Sequence, residues 1–305
     1  VNGTNFYNGS VIKWNGAART TTYVSGSQLT ASISAADVAT AGVATVTVTN
    51  PVGLTSAGLA FNINNAVPAL ASISPSSKVT LSPGFTLSVT GSNFINTSVV
   101  QWNGSNLTTT FVDSSHLTAS VPAGNLTTAG SFPITVFTPA PGGGTSSPLN
   151  FNVSKTTVSG TVTLGDYPDA TGVDVVMEIR AVGSTTPIVT KTVTLSNAGG
   201  SYSTQVDIAP GTYDVAFKPS HWLRSIAHST VFASASVSAS VSVVNGDVDG
   251  NNQINTDDYL AFSDAFDTVV GDPNYSADAD LNGDGQVTTD DYLIFSEHFD
   301  TIGED

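Results

Sequence analysis

Two twelve-residue segments near the carboxyl end of the chain carry oxygen-bearing side chains in the same order. They read DVDGNNQINTDD (residues 247–258) and DLNGDGQVTTDD (residues 280–291). In both, positions 1, 3, 5, 9 and 12 are Asp, Asn or Thr. Ca²⁺ takes roughly six to eight oxygen ligands, and one turn of chain wraps it when side chains alternate in this way around a main-chain carbonyl at position 7. The pattern therefore predicts two calcium ions.

The predicted ligands occupy equivalent positions in the two loops. The side chains are Asp247, Asp249, Asn251, Asn255 and Asp258 in loop 1, and Asp280, Asn282, Asp284, Thr288 and Asp291 in loop 2. The carbonyls come from Gln253 and Gln286, and Asn255 is expected to reach its ion directly or through water. Position 6 needs a positive φ, which Gly285 supplies and Asn252 tolerates. Position 8 is apolar in both loops and is expected to face the core or to pair the loops.

A helix is predicted after each loop, over residues 258–267 and 291–300. Acidic residues at the start of each predicted helix stabilise it, because the amino-terminal end of a helix carries a partial positive charge. Leu260, Phe262 and Phe266 recur as Leu293, Phe295 and Phe299. Paired EF-hand-type loop–helix units, each without an entering helix, resemble type I dockerins over residues 245–305. The resemblance implies binding of a cohesin domain through the following helix and loop positions 10 and 11. Those positions are Thr256, Asp257, Thr289 and Asp290, identical between the halves, which implies a pseudo-twofold partner surface.

The charge of the chain is concentrated in the same region. The formal net charge is −16, and all eight Lys and Arg residues lie before residue 245. A segment this acidic is expected to repel itself unless cations neutralise it. Because the chain has no basic patch for phosphates, the sequence argues against nucleic-acid binding.

The amino-terminal half contains a duplication, since residues 3–51 repeat as residues 91–139 without a gap. Trp14-Asn15-Gly16 matches Trp102-Asn103-Gly104, and each repeat closes with an alternating strand. Alternation with Asn-Gly turns predicts sandwiches, and a Trp at equivalent places in both repeats is expected to be a core residue. The ordered glycine, Trp-Asn-Gly and closing strand resemble the IPT/TIG immunoglobulin-like repeats common in bacterial surface proteins.

The first repeat starts only at the counterpart of Val89, so it lacks about two of the strands predicted for the second. Two explanations remain open. The missing strands lie upstream in a longer chain, or a neighbouring subunit inserts a strand into the incomplete sandwich.

Residues 154–244 predict a third sandwich, with five alternating segments beginning at 158, 173, 188, 202 and 211. The Ala-Pro-Gly-Thr-Tyr turn at 209–213 resembles carboxypeptidase-regulatory-like and collagen-adhesin B-type domains. Such adhesin domains sometimes carry a Lys to Asn or Asp isopeptide bond, for which Lys155, Asn245 and Glu178 are the candidates.

The predicted fold class is mainly β: serial immunoglobulin-like β-sandwiches followed by a small α-helical calcium module. The predicted domains are the first repeat (residues 1–65, incomplete), the second repeat (66–153), the third sandwich (154–244) and the C-terminal module (245–305).

No catalytic residues are predicted. The four histidines are scattered without a nucleophile or metal-ligand spacing, and there is no cysteine.

Millimolar calcium outside cells would keep loops of this kind loaded, which favours an extracellular or cell-surface location, in a bacterium. No apolar run reaches the roughly 18 residues of a membrane span. Candidate glycosylation acceptors are eight Asn-x-Ser/Thr sequons, including Asn8, Asn103, Asn106 and Asn125.

Two functions fit these features. The leading hypothesis is a non-catalytic subunit of a bacterial surface fibre or adhesive array, assembled by docking strands or domains between copies and rigidified by calcium. The alternative is the non-catalytic C-terminal region of a secreted polysaccharide-acting enzyme, anchored by dockerin–cohesin binding. The predicted partner is accordingly another copy of the chain or a cohesin-like domain.

Overall fold

The computed structural model describes all residues from 1 to 305. The chain divides into two compact units. One comprises Val1–Ser76, Gly84–Pro122 and Ser131–Phe151, and the other comprises Ser77–Pro83, Ala123–Gly130 and Asn152–Asp305. None of its helices is long and apolar enough to cross a membrane.

The first repeat is built from short antiparallel strands. They are β1 (Val11–Trp14), β2 (Ala17–Ala18), β3 (Thr21–Ser25), β4 (Gln28–Ala31), β5 (Gly42–Thr49) and β6 (Leu59–Ile63). A sheet of order β2-β1-β5-β6 faces the pair β3-β4, and Ile12, Leu29 and Val48 form a small core between them. Alternation puts Trp14 inside, only 4% exposed.

The second repeat has the same strands and several more. They are β7 (Ala69–Ser74), β8 (Ser77–Val79), β9 (Phe85–Ser92), β10 (Val99–Trp102), β11 (Ser105–Asn106), β12 (Thr108–Asp113), β13 (His116–Val121), β14 (Gly130–Thr138), β15 (Gly144–Thr145) and β16 (Leu149–Ser154). In the first unit, one sheet has the order β12-β13-β9-β7 and the other β11-β10-β14-β16. In the second unit, residues 152–154 pair in parallel with β8.

The two repeats differ at one sheet. In the second repeat β13 is flanked by β12 and β9, with Leu117 opposite Val89. In the first repeat the equivalent strand β4 pairs with β3 along one edge, and residues 1–3 cover the start of its other edge: Val1 and Leu29 exchange two main-chain hydrogen bonds, and Asn2 lies opposite Gln28. Only the part of this edge beyond Leu29 has no strand partner within residues 1–305.

The third sandwich begins where the second repeat ends. Its strands are β17 (Thr156–Leu164), β18 (Asp174–Ala181), β19 (Pro187–Thr194), β20 (Ser201–Val206), β21 (Gly211–Pro219), β22 (Ser225–Phe232), β23 (Ser236–Ser238) and β24 (Val241–Val243). One sheet has the order β19-β18-β21-β22, and the other places β20, β23 and β24 beside β17. Inward-facing Val175, Met177 and Ile179 are fully buried in the core between them.

The isopeptide candidates of the third sandwich have other partners. The ammonium of Lys155 lies 2.7 Å from Asp207, and Glu178 lies 2.5 Å from the guanidinium of Arg180. The side-chain amide of Asn245 donates to the main-chain oxygens of Gly165 and Leu281.

The C-terminal module contains the two helices of the fold. Its elements are β25 (Gln253–Ile254), α1 (Thr256–Ala265), β26 (Thr268–Val269), β27 (Gln286–Val287), α2 (Thr289–His298) and β28 (Thr301–Ile302). Each helix starts two residues before the predicted boundary, because Asn255 and Thr288 act as N-caps in capping boxes with Asp258 and Asp291.

Candidate calcium centre and docking face

Loop 1 folds so that its three carboxylates converge. The carboxylates of Asp247, Asp249 and Asp258 lie within 4.8 Å of one another. Asp258 is held by main-chain N–H groups, since its Oδ1 accepts from Asp249 and its Oδ2 from Asn255 at 3.0 and 2.8 Å. Asp247 Oδ2 accepts from the N–H of Asn252 at 3.0 Å. These bonds hold the carboxylates of Asp247 and Asp258 in place beside that of Asp249.

Loop 2 repeats these hydrogen bonds except at position 1, where Asp280 Oδ1 also accepts from the N–H groups of Gly283 and Asp284 at 2.9 and 3.1 Å. Asp291 accepts from the N–H groups of Asn282 and Thr288 at 3.1 and 2.8 Å. Asp280 Oδ2 accepts from the N–H of Gly285 at 2.8 Å. Asn282 and Asp284 each accept from the N–H two residues further on, at 2.9 Å. Corresponding residues of the two loops therefore stand in corresponding places.

The position-6 residues have the backbone conformation that the loops require. Asn252 has φ +71° and Gly285 has φ +86°. Asn is among the residues that tolerate this left-handed region, because its short polar side chain finds local partners. Its Oδ1 accepts from the N–H of Arg224 at 2.7 Å, and its Nδ2 donates to the oxygen of Glu304.

The position-8 residues, Ile254 and Val287, are fully buried and do not pair with each other. Ile254 in β25 lies opposite Thr301 of β28, beyond α2, and Val287 in β27 lies opposite Thr268 of β26, beyond α1. Loop 1 is therefore held by β28, which follows α2, and loop 2 is held by β26, which follows α1.

The donor set fits a hard divalent cation. Asp247, Asp258 and Asp291 are fully buried, and Asp247 Oδ1 has no hydrogen-bond partner. Burial raises the pKa of the Asp258 and Asp291 carboxyls, and neighbouring carboxylates add to the rise. Buried carboxylates persist when they are paired or bind a metal. A calcium ion would supply the positive charge that holds these groups ionised, and the unpartnered Oδ1 of Asp247 would be available to bind it.

The two position-1 carboxylates differ at both oxygens, since Asp280 Oδ1 accepts from two N–H groups and Asp247 Oδ1 from none. Asp247 Oδ2 lies 2.7 Å from the Nζ of Lys218, which belongs to β21 of the third sandwich. Asp280 Oδ2 instead accepts from the hydroxyl of Tyr275 at 2.8 Å. Burial of the hydroxyl, followed by its bond to Asp280, raises the pKa of Tyr275 to about 12. A cation therefore supports loop 1, and a neutral hydroxyl supports loop 2.

The third sandwich also contacts loop 2. A Cβ atom at Gly283, which has φ +74°, would overlap the ring of Tyr167. Asn245, fully buried, donates to the oxygens of Leu281 and Gly165 at 2.7 and 3.2 Å. His298 of α2 lies 2.9 Å from Asp166. The sequence did not predict that Lys218 and Tyr167 contact the loops, because no repeated pattern of residues connects their positions with those of the loops.

A Ser, a His and an Asp also meet beside the module, in an arrangement unlike that of a nucleophilic triad. Ser220 and His221 Nδ1 both face Asp278 Oδ1, and the ring of His221 stacks on Trp222 with centroids 3.7 Å apart. The other ring nitrogen, Nε2, is buried without a partner. A general base would need that nitrogen at the serine hydroxyl.

The outer face of the helices is apolar and nearly symmetric. Tyr259 and Tyr292 are partly exposed on this face and cross edge to face at 6.4 Å, and they pack on the buried pair Phe262 and Phe295, whose rings stack at 6.2 Å with an 8° interplanar angle. The most exposed apolar residues there are Leu260 and Leu293, each 59% exposed. The predicted partner-binding residues Thr256, Asp257, Thr289 and Asp290 are also exposed, at the start of each helix.

Comparison with known families assigns two of the domains. Residues 245–299 match the family profile of the dockerin type I domain. The chain carries a type I dockerin domain. Residues 68–153 match the IPT/TIG domain, so the dockerin domain follows immunoglobulin-like sandwiches as the sequence predicted. Both are non-catalytic modules, and type I dockerin domains bind calcium.

Solved structures provide further similarities. An X-dockerin complex with a type II cohesin from Acetivibrio cellulolyticus is 26% identical, with 48% of this chain and 97% of that chain covered and a TM-score of 0.39. The major pilin subunit BcpA of Bacillus cereus is 8% identical, covering 77% and 94%, with a TM-score of 0.27. A structure of a 1.5-MDa bacterial ice-binding adhesin, described in connection with its retention on the host cell surface, is 15% identical, covering 76% and 86%, with a TM-score of 0.23. No curated protein matches the chain.

Proposed function

We propose that this chain is an extracellular docking protein that attaches to a cohesin-like domain through the dockerin helices, with one calcium ion in each loop. The observation that carries the proposal is the exposed face of α1 and α2, where Leu260 and Leu293 stand on helices whose starts are fixed by the two loops. Large exposed apolar residues rimmed by polar ones are typical of protein interaction sites.

The calcium ions have a structural role in this proposal. Asp258 and Asp291 are at once loop ligands and the N3 residues of the capping boxes that begin the helices. Occupying a loop with calcium therefore fixes the direction of the helix that carries the docking residues. The docking face would be assembled only in the loaded state.

Pseudo-twofold symmetry gives the face two equivalent halves. Thr256-Asp257 and Thr289-Asp290 recur with the same exposure and the same helix position. A partner that contacts one half of the docking face can therefore bind in either of two orientations, which are related by this symmetry.

The test is binding of the full chain to a panel of type I and type II cohesin domains, with calcium and with chelator. Leu260→Asp combined with Leu293→Asp should abolish binding, because a buried unpaired charge opposes docking. Leu59→Asp is the matched control, since Leu59 is 66% exposed in the first repeat. Calcium-independent binding, or equal loss in the control, would contradict the proposal.

A fibre subunit is the second candidate, favoured by the part of the β4 edge beyond Leu29, which has no strand partner. Exposed strand edges pair readily with strands of other chains. Electron microscopy of the protein with calcium and then with chelator tests it. Regular filaments that loosen in chelator support a fibre, and monodisperse rods in both conditions count against it.

A further inference from the structure

Loop 1 and loop 2 have equivalent ligand positions, and they differ at position 1 in the main-chain bonds to Oδ1 and in the group that supports Oδ2. For Asp247 that group is the ammonium of Lys218, and for Asp280 it is the hydroxyl of Tyr275. Tyr275 belongs to the dockerin domain itself, whereas Lys218 is contributed by the third sandwich. The difference concerns charge, since one support is a cation and the other is neutral.

Lys218 is fixed in place rather than mobile at the surface. Its side chain is only 16% exposed, and its Nζ also donates to the oxygens of Pro219 and Ser220 at 3.1 and 2.7 Å. Asp247 is fully buried. Solvent and salt therefore screen this pair less than they screen an exposed pair.

A fixed cation beside a calcium ligand opposes the binding of a second cation. The ammonium lies against Oδ2, and the Oδ1 of the same carboxylate, which has no hydrogen-bond partner, would be the atom that binds the ion. Repulsion between the ammonium and a divalent ion across one carboxylate is substantial at the effective dielectric constant of a partly buried site. The N–H of Asn252 still orients Asp247 at 3.0 Å, so the orientation of the carboxylate does not depend on Lys218 alone.

We propose that Lys218 makes loop 1 the weaker calcium site, so that loop 2 fills first and loop 1 fills only at higher calcium. The proposal rests on the proposed function, in which each loop binds one ion. Lys218 then has two effects. It neutralises Asp247 in the absence of calcium, and it makes the affinity of loop 1 depend on the adjoining sandwich.

The experiment is a calcium titration of the full chain followed by NMR. The backbone amide of Asn252 reports on loop 1 and that of Gly285 on loop 2. In the parent chain, we expect the Asn252 amide to shift at a calcium concentration on the order of tenfold higher than the Gly285 amide. Lys218→Gln, which removes the charge and keeps a donor, should bring the Asn252 midpoint toward the Gly285 midpoint.

Two further variants separate charge from structure. Lys218→Arg keeps the charge and should keep the two midpoints apart. Lys191→Met removes the charge of an exposed lysine on β19 of the same sandwich and should leave both midpoints unchanged. Thermal unfolding without calcium provides a second readout, in which Lys218→Gln should lower the melting temperature and Lys218→Arg should preserve it.

Each alternative outcome overturns a specific statement. Coincident midpoints in the parent chain, or a Lys218→Gln variant that binds calcium more weakly at loop 1, would overturn the role of Lys218 while leaving the calcium sites in place. Amides that do not respond to calcium in either loop would overturn the proposed function as well.

Discussion

The ring centroids of Trp14 and Phe61 lie 5.1 Å apart in the first repeat. The equivalent rings in the second repeat, Trp102 and Phe151, lie 5.0 Å apart. Phe151 also stacks on Phe85 at 5.5 Å and is fully buried, whereas Phe61 is 49% exposed. The same aromatic pair therefore occurs once inside a complete sandwich and once at the open side of an incomplete one.

Phe151→Ala should destabilise its sandwich by about 3–5 kcal/mol, as expected for a fully buried aromatic residue. Phe61→Ala should cost about 1–2 kcal/mol, because roughly half of the ring already contacts water. Hydrogen exchange of the amides in β14 and β5 measures the two effects separately. Equal losses would mean that Phe61 is covered in solution.

Asn245→Ala tests the contact between the third sandwich and the dockerin domain. The buried amide donates to the oxygens of Gly165 and Leu281, so its removal takes one donor from each, including the buried Leu281, and should cost about 1–3 kcal/mol. Asn274→Ala, at an exposed position of the same domain, is the control. A melting temperature equal to that of the control would show that this contact contributes nothing.

Removal of calcium should lower the thermal stability of α1 and α2 and leave that of the sandwiches unchanged. Fully buried Asp258 and Asp291 would then lack a counterion and repel their neighbours, whereas the sandwich cores contain no such cluster. Thermal melts followed by helical circular dichroism, with calcium and with chelator, measure the change. An equal melting temperature in the two conditions would mean that the hydrophobic contacts of the dockerin domain suffice without metal.

The C-terminal segment provides a pH-dependent contact. His228 Nε2 lies 3.0 Å from Glu304, and its Nδ1 lies 3.5 Å from Asp214. The bond to Glu304 raises the pKa of His228 despite some burial. Burial raises the pKa of Glu304, but hydrogen bonds from His228 and the Ile226 N–H bring it below its usual value.

Stability from a raised His pKa is present below about pH 6.5 and is lost as pH rises through the folded pKa. Stability from the lowered Glu pKa is present above about pH 4.3 and is lost as pH falls through the folded value. His228→Gln should therefore lower the melting temperature most between these limits and have little effect at pH 8. Because His228 is exposed, the effect is small. A constant difference across pH would contradict this explanation.

The sequence predicts what depends on local spacing and misses what depends on packing between domains. The alternation of oxygen-bearing side chains from Asp247 to Asp258 lies within one turn of chain, so its geometry could be anticipated. The helix starts were misplaced because Asn255 and Thr288 are both loop residues and N-caps. The bond from Lys218 to Asp247 could not be predicted, since it depends on how β21 packs against loop 1.

The exchange of strands in the dockerin domain also bears on how such a module arose. Each half closes its loop with the segment that follows the other half's helix, through β25 with β28 and β26 with β27. A single ancestral half would have needed a second molecule to complete it, so its folding would have depended on concentration. Joining two halves in one polypeptide makes that encounter intramolecular, with an effective concentration set by the short linker. Duplication would thereby have turned a dimer sensitive to dilution into a module that folds at any concentration.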